Sequence, residues 1–244
     1  MAMFRSPRRG VLLVVFGLLL VVGIGVGAFL YLRDDAPEEA DITDAGQTLD
    51  DEGLDAASIE DITGTWQVTS DVGETEDTST FAGYRIDEEL GGGIGAQTAA
   101  GRTSDVTGTV AIADGQVTEA SFEVDMTTLT SNDDRRDNQL KGRGLETDAF
   151  PTAGFVLSDP VALPEDSVTG DQLTFSAPGE LTLHGVTNPV TIELQADLRE
   201  GVIAIVGSSP IVLADYEISP PTGGFVVSVA DEGSFEFQLF LEPA

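Results

Sequence analysis

Apolar and polar residues alternate along the chain in short runs from about residue 64 onward. Near the C-terminus, Phe235, Phe237 and Leu239 fall on one face of an extended segment, and Glu236 and Gln238 fall on the other. A period of two predicts β-strands that bury a single face. Similar runs lie around Trp66, Tyr84, Val106, Phe122 and Phe155, over residues 175–183, 190–198 and 203–212, and near Phe225 and Phe235.

Short turns separate these runs. Asp114 and Gly115 stand between two alternating segments, and an Asp-Gly pair favours a tight hairpin because its residues tolerate positive φ. Many short strands joined locally indicate an all-β antiparallel fold, either a sandwich or a barrel. We favour a lipocalin-like β-barrel of about eight strands, with one short helical segment over residues 134–145. Such a barrel holds either its own packed side chains or one apolar ligand.

The N-terminal region has a different pattern. Residues 11–32 form an unbroken apolar run of 22 residues, and about 20 are needed to cross a bilayer as a helix. Arg5, Arg8 and Arg9 precede the run and acidic residues follow it, which places residues 1–10 in the cytoplasm and the bulk of the chain outside. We therefore predict a single-pass membrane anchor. A cleaved signal peptide is the alternative, although its apolar core is usually about 7–15 residues long.

Residues 33–61 are dense in Asp and Glu and hold no aromatic residue. This composition predicts a disordered acidic tether, because too little apolar surface is available to offset the entropy of ordering. A short helix beginning near Ser58 is the structural alternative. The folded domain is then predicted over residues 62–244.

Charge and composition exclude several classes of protein. The formal net charge is −32 at pH 7, and all 43 acidic residues follow Arg33. Such a surface repels phosphate backbones, so we predict no nucleic-acid partner. The acidity is equally consistent with a solubility or high-salt adaptation. The chain has no cysteine, which excludes disulfides, thiolate metal sites and a cysteine nucleophile.

His184 is the only histidine, and it is followed by Gly185 between two alternating runs. Catalysis needs a nucleophile or an orienting carboxylate beside it, and a metal site needs further ligands. Neither is evident nearby, so we predict no enzyme activity, no metal and no cofactor. Two interpretations of His184 remain. It is either a structural turn residue whose ring nitrogen bonds a loop carbonyl, or a residue that makes a polar contact with a ligand.

Two motifs carry a resemblance to a known family. The segment GELTLHGVTNPVTI, residues 179–192, and the segment RRDNQLKGRGLETDAFPTAGF, residues 135–155, resemble the two signatures of the YceI-like, polyisoprenoid-binding family. GTWQV at residues 64–68 is similar to the family's opening strand, so the resemblance covers about residues 64–242. Two departures stand out: Gln139 replaces a usual histidine, and an early His-Ser stretch has no counterpart near residues 81–86.

The resemblance implies a hollow barrel that holds an isoprenoid lipid, such as a polyprenyl carrier or a quinone. A lining of apolar side chains binds a hydrocarbon at roughly 0.8 kcal/mol per buried methylene. Ordinary core packing uses the same residue types, so a filled barrel remains open. The candidate cavity residues are Trp66, Tyr84, Ile86, Phe122, Val124, Phe155, Leu157, Phe175, Leu181, Leu183, Phe235 and Phe237.

A basic cluster is the second candidate site. Arg135, Arg136, Lys141 and Arg143 lie within nine residues, and we expect them to gather at the barrel mouth and bind the head group of a prenyl phosphate, because arginine forks suit phosphate oxygens. With His184 they are the candidate contacts for the head group. Neutralisation by neighbouring aspartates is the alternative. The predicted function is thus a membrane-anchored extracytoplasmic protein that binds an isoprenoid lipid. A filled barrel that serves as an envelope or stress interaction module is the other possibility, and the oligomeric state stays open.

Overall fold

A computed structural model describes residues 36–75, 78–164, 169–221, 223–224 and 226–244. Within these ranges the chain forms twelve β-strands and two α-helices. The strands are β1 (Gly64–Thr69), β2 (Phe81–Leu90), β3 (Gly95–Thr103), β4 (Val106–Ala113), β5 (Gln116–Asp125), β6 (Thr130–Ser131), β7 (Thr152–Leu157), β8 (Val161–Ala162), β9 (Leu173–Leu183), β10 (Val186–Arg199), β11 (Val202–Val212) and β12 (Val226–Pro243). The helices are α1 (Ile42–Asp51) and α2 (Asp134–Gly142).

Eight of the strands close into an antiparallel barrel, which confirms the predicted lipocalin-like fold with a short helix. Around the barrel the order is β1, β4, β5, β7, β9, β10, β11 and β12, and β12 pairs back onto β1. The last residues of β12 pair with β1, and its earlier residues pair with β2, which β3 and β6 continue. The barrel wall next to β12 is therefore completed by β1 at one end of the barrel and by β2 and β3 at the other. These are called the β1 end and the β2 end.

Tight turns join the hairpins at the positions that the sequence indicates. Asp114 and Gly115 have φ values of 53° and 70° between β4 and β5. His184 and Gly185 have φ values of 52° and 75° between β9 and β10. Two consecutive positive φ values are what a two-residue type I′ hairpin turn requires. His184 therefore occupies a turn position that defines the β9–β10 hairpin.

The β1 end of the barrel is filled by side chains. Trp66 is 5% exposed, and its indole nitrogen donates to the Ile62 carbonyl at 2.7 Å. The residues that pack with it there are Ala57, Ile62, Val110, Ile112, Val117, Leu163, Leu173, Ala196, Leu198, Ile203 and Leu241. The interior of the barrel is consequently filled and closed at this end.

The predicted disordered tether over residues 33–61 is wrong for its described part, residues 36–61. Helix α1 begins after Asp41, whose carboxylate accepts from the Thr43 amide at 2.6 Å. Hydrogen bonding to the side chain of Thr43, and then to its amide, lowers the pKa of Asp41. Ile42, Ala45 and Leu49 are at most 2% exposed. They lie on one side of the helix and form an apolar stripe. The average composition of the segment is strongly acidic and does not reveal this stripe.

The stripe on α1 packs against the outer face of the barrel. Its partners there include Ala204, Val206 and Phe240, which alternate with inward residues on β11 and β12. Arg199 of β10 secures the end of the helix, because its guanidinium lies 2.9 Å from Asp50 and 2.8 Å from Asp197. Helix α1 is therefore part of the folded domain.

Buried charges hold the chain that precedes α1. Glu236 of β12 points outward, is 3% exposed, and pairs with Arg85 at 3.3 Å and Arg102 at 2.9 Å. Arg85 also donates to the Pro37 carbonyl at 2.6 Å, and Arg102 donates to the Glu38 carbonyl. We call Arg85, Arg102 and Glu236 the outer clamp. It fixes residues 37 and 38 on the outside of β2, β3 and β12.

No helix among the described residues is long and apolar enough to cross a membrane. The predicted span, residues 11–32, lies outside the described residues, as does the predicted cytoplasmic segment 1–10.

Replacing Leu49 by Ala tests whether α1 belongs to the fold. Leu49 is fully buried, so we expect Leu49→Ala to lower the free energy of unfolding by about 2–5 kcal/mol, measured by urea denaturation. Asp51→Ala on the same helix is the matched control, and we expect less than about 0.5 kcal/mol because Asp51 is exposed. Equal, negligible effects would instead support a disordered tether.

Candidate functional site

An apolar cavity of about 160 Å³ lies inside the barrel beyond the filled end. Ten of the twelve predicted cavity residues line it: Tyr84, Phe122, Val124, Phe155, Leu157, Phe175, Leu181, Leu183, Phe235 and Phe237. Ile86 lines the adjoining mouth, whereas Trp66 lies in the filled end. Residues such as Ile192, Leu194 and Ile205 also line the cavity, and the same alternation along β10 and β11 indicates them.

Aromatic rings in this cavity lie over glycines of the neighbouring strands. A Cβ atom added to Gly108 would come within 2.4 Å of the Phe122 ring, and one added to Gly179 within 2.2 Å of the Phe155 ring. The same holds for Phe237, whose ring lies over a glycine of β11, and for Tyr84, whose ring lies over a glycine of β3. Each ring therefore occupies space next to the wall that a side chain at the glycine position would otherwise fill. Because the rings lie there, less of the space along the barrel axis is filled.

The opposite end of the barrel opens into a mouth of about 800 Å³. Strands β2 and β3, helix α2, residues 211–221 and 223–224, and the start of β12 form its walls. Tyr84, Leu145 and Ile211 line both the mouth and the inner cavity, so the two spaces adjoin. The rim of the mouth is apolar at Leu90 and Ile94. A molecule that enters the barrel by this end passes from a mixed surface to an entirely apolar one.

A polar cluster lies in the mouth wall. Glu88 is 7% exposed and faces inward, because it follows Tyr84 and Ile86 on the same side of β2. Its carboxylate accepts from Arg136 of α2 at 2.5 Å and from Gln97 of β3 at 2.8 Å. We call Glu88, Gln97 and Arg136 the mouth triad. An inward carboxylate in an otherwise apolar stripe is the sequence signal that would have revealed it.

Two buried polar atoms near this cluster have no hydrogen-bond partner in the described part of the protein. They are the Tyr84 hydroxyl and the Gln97 side-chain oxygen. Burial, partly opposed by the Arg136 charge, raises the pKa of Tyr84 above its usual range, so the phenol keeps its proton. Buried polar groups are nearly always paired, and an unpaired one calls for a ligand or a water molecule. Both atoms belong to residues that line the mouth.

The structure divides the predicted basic cluster. Arg136 and Arg135 line the mouth, and Arg135 pairs with Asp133 at 2.9 Å. Lys141 and Arg143 are exposed and lie outside the mouth wall. Arg135, Arg136 and Lys141 diverge because successive residues of a helix point about 100° apart, and Arg143 follows the helix in an extended conformation. The four bases therefore do not converge on one point.

His184 lies outside the lining of both spaces and contacts loops near the mouth. One ring nitrogen, Nδ1, is 3.0 Å from the Tyr216 carbonyl, and the other, Nε2, is 3.0 Å from the Glu146 carboxylate. The Phe150 ring lies 4.1 Å away, centroid to centroid. The bond to a loop carbonyl is the structural role that its turn position suggests. His184 therefore connects the β9–β10 turn to two loops.

The sequence model of the YceI-like domain matches residues 74–241. The chain belongs to the YceI-like family. No curated protein sequence matches it at a significant level.

Solved structures align with this chain at low identity. A polyisoprenoid-binding domain from Saccharophagus degradans, implicated in plant cell wall breakdown, aligns with a TM-score of 0.54 and 16% identity, over 73% of this chain and 98% of that one. Burkholderia cenocepacia BcnA aligns with a TM-score of 0.49 and 18% identity, over 65% and 95% of the two chains. A Campylobacter jejuni YceI protein gives a TM-score of 0.46 and 11% identity, over 59% and 84%.

Replacing Tyr84 by Phe tests whether its hydroxyl is unpaired without ligand. We expect the free energy of unfolding of the ligand-free protein to stay the same or rise by about 1 kcal/mol, because no hydrogen bond is lost. Thr80→Val is the matched control, since the fully buried Thr80 hydroxyl donates to the Thr69 carbonyl at 2.7 Å, and it should cost about 1–3 kcal/mol in urea denaturation. A comparable loss for Tyr84→Phe would contradict the unpaired hydroxyl.

Proposed function

We propose that this YceI-like barrel binds one isoprenoid lipid, with the tail in the inner cavity and the head group in the mouth, and catalyses no reaction. The observation that carries the proposal is an apolar cavity that is blind at one end and opens at the other into a mouth with polar groups. The Saccharophagus degradans neighbour, described as polyisoprenoid-binding, supports the same class of ligand.

The two spaces suit different parts of such a lipid. The inner cavity of about 160 Å³ has room for about five water-sized groups, which is about one isoprene unit. Each methylene that leaves water there contributes roughly 0.8 kcal/mol. The mouth, at about 800 Å³, lies within the range of about 300–1,000 Å³ typical of ligand pockets. A long tail therefore lies partly in the mouth or displaces rings from the inner wall.

Filling the inner cavity should abolish lipid retention. Ala153 of β7 lines the cavity, and Val156 of the same strand points outward with 53% of its surface exposed. We expect Ala153→Leu to lower the amount of bound octaprenyl lipid at least tenfold, and the matched control Val156→Leu to leave it unchanged. The chain from residue 36 onward, which keeps α1, is purified without detergent, incubated with the lipid and measured by native mass spectrometry.

Absence of bound lipid in the unmodified barrel would overturn the proposal. That result favours the filled barrel as an interaction module, which the small inner volume and the packed β1 end also favour. Equal retention by Ala153→Leu and Val156→Leu would place the lipid outside the inner cavity.

We also propose that residues 11–32 anchor the protein in the cytoplasmic membrane with the barrel outside the cell interior. The apolar run and the arginines before it support this orientation. The outer clamp holds Pro37, so four residues separate the proposed span from the barrel. Four residues reach at most about 14 Å. The outer clamp lies on the outside of β2 and β3, and other residues of these two strands line the mouth, so the mouth then lies close to the membrane surface.

Fractionation of intact cells tests the anchor. We expect the full-length chain in the membrane fraction, with its C-terminus accessible to protease added outside the cell or, in a cell with two membranes, to the periplasm. A soluble chain that starts near residue 28 would instead show a cleaved signal peptide. A C-terminus protected until the inner membrane is lysed would reverse the orientation.

A further inference from the structure

The mouth triad bears on which head group the barrel prefers. The inference rests on the proposed function, the binding of an isoprenoid lipid. We propose that Glu88 makes the mouth selective for an uncharged, hydroxyl-bearing head group, such as that of a prenol or a quinol, over a phosphorylated one. This differs from the expectation that a basic cluster binds a prenyl phosphate.

Every basic side chain that lines the described mouth already pairs with a carboxylate. Arg135 pairs with Asp133, and Arg136 pairs with Glu88. Arg85 adjoins the mouth, but its side chain points outward and pairs with Glu236. Asp134 lines the mouth as well. The mouth therefore presents no excess of positive charge to an anion. The strongly acidic surface of the chain adds to the repulsion of an anion.

Both terminal nitrogens of the Arg136 guanidinium already donate hydrogen bonds within the protein. Its Nη2 donates to Glu88 at 2.5 Å, and its Nη1 donates to Asn132 at 3.0 Å and Ser131 at 3.3 Å. Asp137 in turn accepts from the Ser131 hydroxyl at 2.6 Å. A phosphate at this position would have to replace a buried carboxylate that has a side-chain exposure of 6%, or sit beside it with like charge.

The Tyr84 hydroxyl and the Gln97 side-chain oxygen are best paired by a group that both donates and accepts hydrogen bonds. Gln97 donates its amide to Glu88, so its oxygen is left as an acceptor that needs a donor. The Tyr84 phenol has a proton to donate and lone pairs to accept. A fully ionised phosphate has acceptors only, and it leaves the Gln97 oxygen unpaired. A hydroxyl group offers both a donor and an acceptor, and it adds no charge.

Compounds that share one tail and differ only in the head group test the selectivity. The full chain in phosphatidylcholine nanodiscs is titrated with tritiated geranylgeraniol, geranylgeranyl monophosphate and geranylgeranyl methyl ether, and empty nanodiscs correct for membrane uptake. We expect the prenol to bind at least tenfold more tightly than the phosphate. The methyl ether, which cannot donate, should bind more weakly than the prenol.

Glu88→Gln removes the charge and keeps the size of the side chain. We expect it to tighten binding of the phosphate at least tenfold and to change binding of the prenol less. Glu89→Gln is the matched control, because Glu89 is exposed on the opposite face of β2 and its loss changes the net charge equally. Tyr84→Phe should weaken both the prenol and the methyl ether, because the oxygen of either compound can accept a hydrogen bond from the Tyr84 phenol. Urea denaturation of each variant checks that it is folded.

The outcomes separate the two proposals. Equal or tighter binding of the phosphate by the wild-type chain overturns the selectivity, and so does an equal response of Glu88→Gln and Glu89→Gln. If Glu88→Gln is unfolded, the wild-type comparison and Tyr84→Phe decide alone. Failure of all three compounds to bind overturns lipid binding itself, and the selectivity falls with it.

Discussion

Closure of the barrel by β12 is the constraint on which the other features depend. This strand of 18 residues pairs with β11 on one edge, and with β2 and then β1 on the other. Because closure leaves the eight strands no free edge, one side chain in two is directed at a shared axis. The interior is packed where β1 completes the wall. Where β2 and β3 replace β1, the interior is open, and the polar groups of the mouth are found there.

Much of this fold is predictable from residues 64–244. The alternation in β12 and the Asp114–Gly115 turn are local signals, and both correspond to the strands and hairpin that form. Helix α1 was missed because its stripe consists of only three residues within a strongly acidic segment. Its stability comes from tertiary contacts with β11 and β12, which composition does not reveal.

The site was predictable in its apolar part and not in its polar part. Inward residues of each strand follow from a period of two, and most predicted cavity residues do line the cavity. The mouth triad joins three elements that are distant in sequence, so no local spacing indicates that Glu88, Gln97 and Arg136 meet. The converse holds for the basic cluster: its members are close in sequence, but Lys141 in the last turn of α2 and Arg143 just after the helix are exposed to solvent.

The pairing of rings with glycines has a consequence for the capacity of the barrel. The width of most small barrels is determined by the number of strands and their tilt. Here the rings of Phe122, Phe155 and Phe237 also help to set the bore, because each occupies the space over a glycine of a neighbouring strand. A side chain at any of these glycines would push its ring toward the axis, so three positions without side chains govern how wide a guest the barrel can admit.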